Sequence, residues 1–159
     1  MADIVELILA DHGRIRMLLA AVETALAQAD GTDSRAELPG RWETLAALLG
    51  VHADAAEEIG FPALFGRAAT LERDNARATD DDIREAVGET RLHPVSSRSW
   101  QLAVLAACAA ARDHVHDLES GALARFGRDA PRPTRDVLGR QWTAFVAASM
   151  YRDKHHDPF

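Results

Sequence analysis

Apolar residues recur at every third or fourth position along most of the chain, the spacing that places side chains on one face of an α-helix. The pattern predicts helix A at about residues 3–29, helix B at about 36–66, helix C at about 69–92, and helix D from 98 to between 120 and 126. Gly60 and Pro62 are expected to kink or end helix B. A fifth helix is predicted at about residues 135–151, after a rigid linker at 129–133.

Four long helices with short links favour an all-α fold, an up-down-up-down antiparallel four-helix bundle. We expect residues 1–128 to form the bundle. Residues 129–159 then supply the linker and an additional C-terminal helix that covers one side of the bundle within a single domain.

Three histidines, His12, His52 and His114, occupy positions on the apolar faces of the predicted helices, where apolar residues are expected. Their neighbours on the same faces are Ile8, Ile15 and Leu19 in helix A, Leu49, Ala56 and Ile59 in helix B, and Ala107, Ala111 and Leu118 in helix D. At about 1.5 Å per residue, all three lie roughly 9–20 Å from the same end of the bundle, and Asp80 lies roughly 16 Å along helix C. Buried imidazoles from several helices, together with a carboxylate, are typical of a divalent-metal site.

With these residues the chain resembles the hemerythrin-like HHE cation-binding family. The matching pieces are Asp11-His12, the stretch at residues 52–64, residues 80–87, and residues 114–119. The most specific piece is in helix B, where a histidine is followed by paired acids and then by Phe-Pro-Ala-Leu. The resemblance covers roughly residues 4–126 and implies a four-helix bundle with a non-heme di-iron site. Such sites bind oxygen, react with oxygen, peroxide or nitric oxide, or sense iron or oxygen.

The resemblance also implies metal ligands. His12, His52 and His114 match the family's helix A, B and D histidines, and Asp80 falls where helix C normally supplies a histidine. The family usually places a bridging glutamate four residues after the helix B histidine, where this chain has Ala56.

Two further carboxylates, Glu57 and Glu119, each follow a histidine by five residues. Family precedent allows such a carboxylate to serve as a ligand in helix D, whereas Glu57 is expected to be a solvated or rim acid. Without bridging carboxylates, two cations held a few ångströms apart would repel each other. The full set of candidate metal ligands is His12, His52, Asp80, His114, Glu119 and Glu57.

Three interpretations follow. In the first, the protein is hemerythrin-like and binds a non-heme metal, iron before others and mono- or dinuclear, with dioxygen or another small molecule as its ligand. In the second, the site holds no metal, and His12, His52 and His114 act as general acids and bases in an enzyme or small-molecule-binding protein. In the third, the site is vestigial in an interaction protein. The first interpretation requires four ligands that converge on one point and metal that copurifies with the protein. The second requires a cavity beside the three histidines that holds no metal. The third requires histidines hydrogen-bonded to one another or to other protein groups, in a layer filled by side chains.

The amino-acid composition limits the kinds of partner and the cellular location that the protein is expected to have. Eighteen Lys and Arg against 25 Asp and Glu give a net charge of −7, which argues against nucleic acid and anionic membrane surfaces. A single cysteine, Cys108, excludes an intramolecular disulfide and argues against a cysteine-based zinc cluster. The longest apolar run has 10 residues, too few to cross a bilayer, and the N-terminus is acidic where a secretory signal would be basic. A cytoplasmic location is therefore expected by default.

Overall fold

The computed structural model describes residues 2–28, 32–66 and 69–155, and these residues form helices joined by short links, with no β-strand among them. In chain order the elements are α1 (Ile4–Ala27), α2 (Thr32–Ala55), a π-helical turn (Ala56–Gly60), α3 (Phe61–Phe65), α4 (Thr70–Thr90), α5 (Arg98–Ser120), α6 (Ala122–Asp129) and α7 (Arg132–His155). The predicted all-α fold is confirmed. None of the described helices combines the length and apolarity that a membrane crossing requires.

Four helices form the bundle: α1, α2, α4 and α5. In this order each helix packs against the next, and α5 packs against α1. Neighbouring helices are antiparallel. On α1 and α5, for example, Arg16 pairs with Glu119 whereas the later residue Glu23 pairs with the earlier residue Arg112. The predicted up-down-up-down arrangement is therefore confirmed. The fifth predicted helix, α7, packs against α1, α2 and the π-helical turn, so it covers one side of the bundle.

Two caps fix where bundle helices begin. The Asp3 carboxylate accepts hydrogen bonds from the backbone N–H groups of Val5 and Glu6, and the Glu6 side chain accepts one from the Asp3 backbone. This capping box satisfies N–H groups that have no partner within the helix. Ser97 caps α5 by accepting a hydrogen bond from the Trp100 N–H.

Helix B ends close to the predicted residue 66, and the linker is shorter than predicted. Gly60 and Pro62 do not end helix B, which passes through the π-helical turn and continues to Phe65. Pro62 lies in the first turn of α3, directly after the π-helical turn. The predicted linker at 129–133 is shorter, since α6 extends to Asp129 and α7 begins at Arg132.

The interior has two apolar clusters. The Trp100 core contains Ile15, Leu19, Trp42, Leu45, Leu49, Trp100, Val104 and Ala111 among others. The Phe61 core contains Ile4, Ile8, Ala56, Phe61, Leu118, Leu123 and Trp142 among others. His12, His52 and His114 fall in sequence between members of the two clusters, so we call these three residues the histidine layer.

Candidate metal centre

The histidine layer brings three imidazoles from α1, α2 and α5 together in the middle of the bundle. His12, His52 and His114 are 0%, 3% and 3% exposed, and their ring centroids are 5.0 to 5.8 Å apart. One nitrogen from each ring lies within 4.8 Å of the other two. The closest approach is 3.3 Å, between His52 Nε2 and His114 Nε2. The prediction that the three imidazoles meet in one layer is confirmed.

Each imidazole has a carboxylate beside its Nδ1 atom. Glu119 Oε1 is hydrogen-bonded to His12 Nδ1 at 2.9 Å, and Asp80 Oδ1 lies 2.8 Å from His114 Nδ1. Asp11 Oδ2 lies 3.6 Å from His52 Nδ1. Carboxylates in this position commonly orient metal-binding histidines, because they hold the Nδ1–H and leave the Nε2 lone pair for the ion.

Several buried polar atoms at the centre lack a hydrogen-bond partner among the described residues. These atoms are His12 Nε2, His52 Nδ1 and both carboxylate oxygens of Asp80, although Asp80 Oδ1 lies 2.8 Å from His114 Nδ1. A buried polar group left unpaired costs about 1–3 kcal/mol, and more if it is charged. A cation held at the centre would give the His12 lone pair a partner and would offset the charge of Asp80. The residues present therefore fit a metal ion.

Burial keeps two of the imidazoles in the form that binds metal. Desolvation, together with the smaller effects of the neighbouring His52, His114 and Arg16, lowers the pKa of His12 to about 2. Desolvation also lowers the pKa of His52, although the adjacent Asp11 opposes that shift. Both rings are neutral at pH 7, and only a neutral imidazole offers a lone pair to a metal.

The family model for the hemerythrin HHE cation-binding domain matches residues 3–126 of the chain. The chain belongs to this family. The resemblance predicted from sequence is thereby confirmed, and the match takes in the whole histidine layer. Helix α7 lies beyond the matched residues. No curated protein and no solved structure gives a significant match. Membership in this family suggests metal binding, and the three buried histidines of the layer could hold a metal ion.

The other predicted ligands lie at different distances from the centre. Asp80, 1% exposed, lies behind His114, and Glu119 lies behind His12, where it also pairs with Arg16. Glu57 is 48% exposed and pairs with Arg84. Within the described part of the chain, the group of potential ligands that converges on one point consists of the three histidines. Asp80 and Glu119 thus contact the histidines from outside the converging group, and Glu57 lies at the surface.

Two residues at the centre are absent from the predicted set. Asp11 appears in the sequence only as the neighbour of His12, and that adjacency was the available signal. Trp142, on the fifth helix, lies beside His52 with a ring-centroid distance of 5.5 Å, and its Nε1–H donates to Asp11 Oδ2 at 3.2 Å. No pattern within the chain indicates which groove of the bundle α7 covers, so this contact had no sequence signal.

A groove of about 310 Å³ reaches the histidine layer from the side of α4 and α5. His114 contributes to its wall, and the other lining residues include Phe65, Asn75, Thr79 and Asp117. His12 and His52 do not line this groove. The groove therefore gives a small molecule an approach towards one of the three imidazoles.

Proposed function

We propose that this hemerythrin-family protein binds a single iron ion through the Nε2 atoms of His12, His52 and His114, and that the ion serves to bind or react with dioxygen or a similar small molecule. The observation that carries the proposal is the convergence of three buried imidazoles around the unpartnered Nε2 of His12. The carboxylates beside the three Nδ1 atoms support it, since they supply negative charge around a cation.

The separations between ring nitrogens are close to those that one ion requires. With metal–imidazole distances of about 2.1 Å, two nitrogens on one ion are about 3.0 to 4.2 Å apart, depending on the coordination angle. The 3.3 Å between His52 Nε2 and His114 Nε2 falls within this interval. That contact alone would also suit a vestigial site, but a vestigial site does not account for the unpartnered Nε2 of His12.

Three protein nitrogens leave coordination positions open for a small ligand. Imidazole ligands suit iron, zinc and copper alike, so the donor set does not select one metal by itself. Iron is proposed because the chain belongs to a family whose members commonly hold non-heme iron. Such an ion supplies a site where a small oxidant can bind. The residues of the chain hold the ion, orient the rings and exclude bulk water.

One ion is proposed rather than two because the bridging carboxylate is missing. Ala56, which is buried with 3% of its surface exposed, stands where the family usually places the bridging glutamate. The adjacent Glu57 forms an ion pair with Arg84. Two-metal sites hold their ions about 3.5–4 Å apart, and that separation needs carboxylates to reduce the repulsion.

Metal analysis tests this proposal. Protein purified anaerobically after growth with added iron is expected to contain about one iron per chain. His52→Ala and His114→Ala are expected to lose it. His116→Ala is the matched control because His116, two residues from His114, is exposed and should retain full iron. Full iron in His52→Ala would place the metal elsewhere, and a wild-type content below about 0.2 per chain would overturn the proposal.

The groove beside His114 favours a second candidate, a metal-independent protein that binds or transforms a small organic molecule. Its volume of about 310 Å³ is at the lower end for ligand pockets. In this function His114 would exchange a proton with the bound molecule. The same metal analysis separates the candidates, because this one requires activity or binding in protein that contains no metal.

A further inference from the structure

We infer that α7 is part of the metal centre, and that Trp142 is a positioning residue that holds Asp11 against His52 and so fixes the direction of the His52 ring. The expected effect of Trp142 on metal affinity rests on the proposed function. The juxtaposition itself involves α7, which lies outside the residues matched by the family model.

Trp142 is the buried side chain of an otherwise exposed or half-buried helix, as far as the side chains of α7 are described. It is 2% exposed, and the one other buried residue there is Gly139, which has no side chain. A buried indole N–H normally finds an acceptor, and here the acceptor is a charged carboxylate rather than a backbone carbonyl. Among the side chains of α7 that the structure describes, the deeply buried one is therefore aimed at the histidine layer.

The same carboxylate oxygen connects the indole to the imidazole. Asp11 Oδ2 accepts the hydrogen bond from Trp142 Nε1 at 3.2 Å and lies 3.6 Å from His52 Nδ1, an electrostatic contact that is too long for a hydrogen bond. The indole ring also packs against the edge of the His52 ring, with an interplanar angle of 66°. Trp142 thus limits the movement of both Asp11 and His52. With the Nδ1 side held in this way, the Nε2 atom of His52 faces the centre of the histidine layer.

Contacts at both sides hold α7 in this place. Gly139, one turn before Trp142, packs so tightly on the start of α1 that an added Cβ would lie 2.6 Å from the Ala2 carbonyl oxygen. Arg135 pairs with the buried Asp3 at 3.1 Å. On the other side, the Trp142 ring would lie 3.5 Å from a Cβ on Gly60 in the π-helical turn. Helix α7 therefore spans the two helices that carry His12 and His52.

The test compares Trp142→Phe, which keeps an aromatic ring but removes the N–H donor, with Asp11→Asn and the double variant. Replacing a residue that orients a metal ligand typically weakens metal affinity 10- to 100-fold. We expect Trp142→Phe to weaken Co(II) or Fe(II) binding about 10-fold and Asp11→Asn by at least as much. The double variant should bind no more weakly than Asp11→Asn alone, because both changes break one connection. Trp100→Phe, in the Trp100 core, is the matched control and should keep wild-type affinity.

A second measurement needs no metal. The ¹⁵N chemical shifts of His52 in the metal-free protein report which ring nitrogen carries the proton, and we expect the Nδ1-protonated form in the wild type. Trp142→Phe should shift His52 towards a mixture of tautomers, whereas Trp100→Phe should not. Unchanged His52 shifts in Trp142→Phe would overturn the inference, as would metal affinity within twofold of wild type or additive losses in the double variant. If the wild-type protein binds no metal but Trp142→Phe still shifts the His52 tautomers, the proposed function is overturned and the positioning role of Trp142 is kept.

Discussion

The Trp100 core and the histidine layer lie next to each other in one bundle but are held together by different forces. Around Trp42, Leu45, Trp100 and Val104 the interior is apolar and closed, and its stability comes from surface removed from water. In the histidine layer, two rings lose their affinity for protons on burial, and polar atoms of His12 and Asp80 lack partners. The first region is stabilised by its own packing, whereas the second has polar atoms that a bound cation would stabilise.

The contrast indicates why the bundle tolerates such a layer. Burying unpaired polar groups costs free energy, and the apolar clusters on both sides supply the stability that offsets it. A site that is unsatisfied without its ion is also one in which the binding free energy of the ion adds to the stability of the fold.

The most damaging change should be a cavity in the Trp100 core. Leu45 is fully buried, and Leu45→Ala should lower the free energy of unfolding by about 2–5 kcal/mol. Denaturant unfolding measures this loss. Since Leu45 belongs to the Trp100 core, the folded variant should keep wild-type iron content. Loss of iron at temperatures where the variant remains folded would mean that the two regions are coupled.

Acid should weaken the histidine layer of the metal-free protein selectively. Burial lowers the pKa values of His12 and His52, so below pH 6.5 the unfolded chain binds protons that the folded chain does not. Stability is therefore retained above pH 6.5 and falls as the pH drops towards the folded-state pKa values. The slope should approach about 1.4 kcal/mol per pH unit for each ring.

Unfolding curves measured between pH 7.5 and 5 check this dependence. His12→Gln removes one of the two groups and should reduce the slope by about half. Leu45→Ala should lower stability at every pH while leaving the slope unchanged. Equal slopes in the wild type and in His12→Gln would show that His12 is not buried as a neutral ring.

The same contrast separates what the sequence predicted from what it could not. The helices and the common depth of His12, His52 and His114 follow from two constants of the α-helix, its period and its rise per residue. The depth of Asp80 was predicted in the same way, but not the position of its carboxylate behind His114, which depends on how α4 is rotated about its axis. The contact of Trp142 depends on where α7 packs, and an amphipathic pattern does not encode that choice.

Glu119 offers a smaller perturbation of the metal centre. Its carboxylate is hydrogen-bonded to His12 Nδ1 and pairs with Arg16 at the surface. Glu119→Gln keeps the shape but removes the charge, and it should weaken metal binding about 10-fold, or about 1.4 kcal/mol, as expected for a carboxylate that orients a ligand. Competition with a chelator of known affinity measures this change. A loss as complete as that in His52→Ala would instead make Glu119 a direct ligand.

The smallest effect should come from Glu57, and it decides between two roles for an acidic residue five positions after a histidine. Glu57 is exposed and shares Arg84 with Asp54 and Asp81, so removing its charge leaves Arg84 with other partners. Exposed ion pairs contribute about 0–1 kcal/mol, and Glu57→Gln should change stability by no more than that. Its metal affinity should equal that of the wild type. Glu57 and Glu119 share the same spacing from a histidine. If Glu119→Gln lowers metal affinity tenfold and Glu57→Gln does not lower it, the direction of the side chain determines the role of the residue. Equal losses in the two variants would mean that the π-helical turn rearranges when metal binds and brings Glu57 inward.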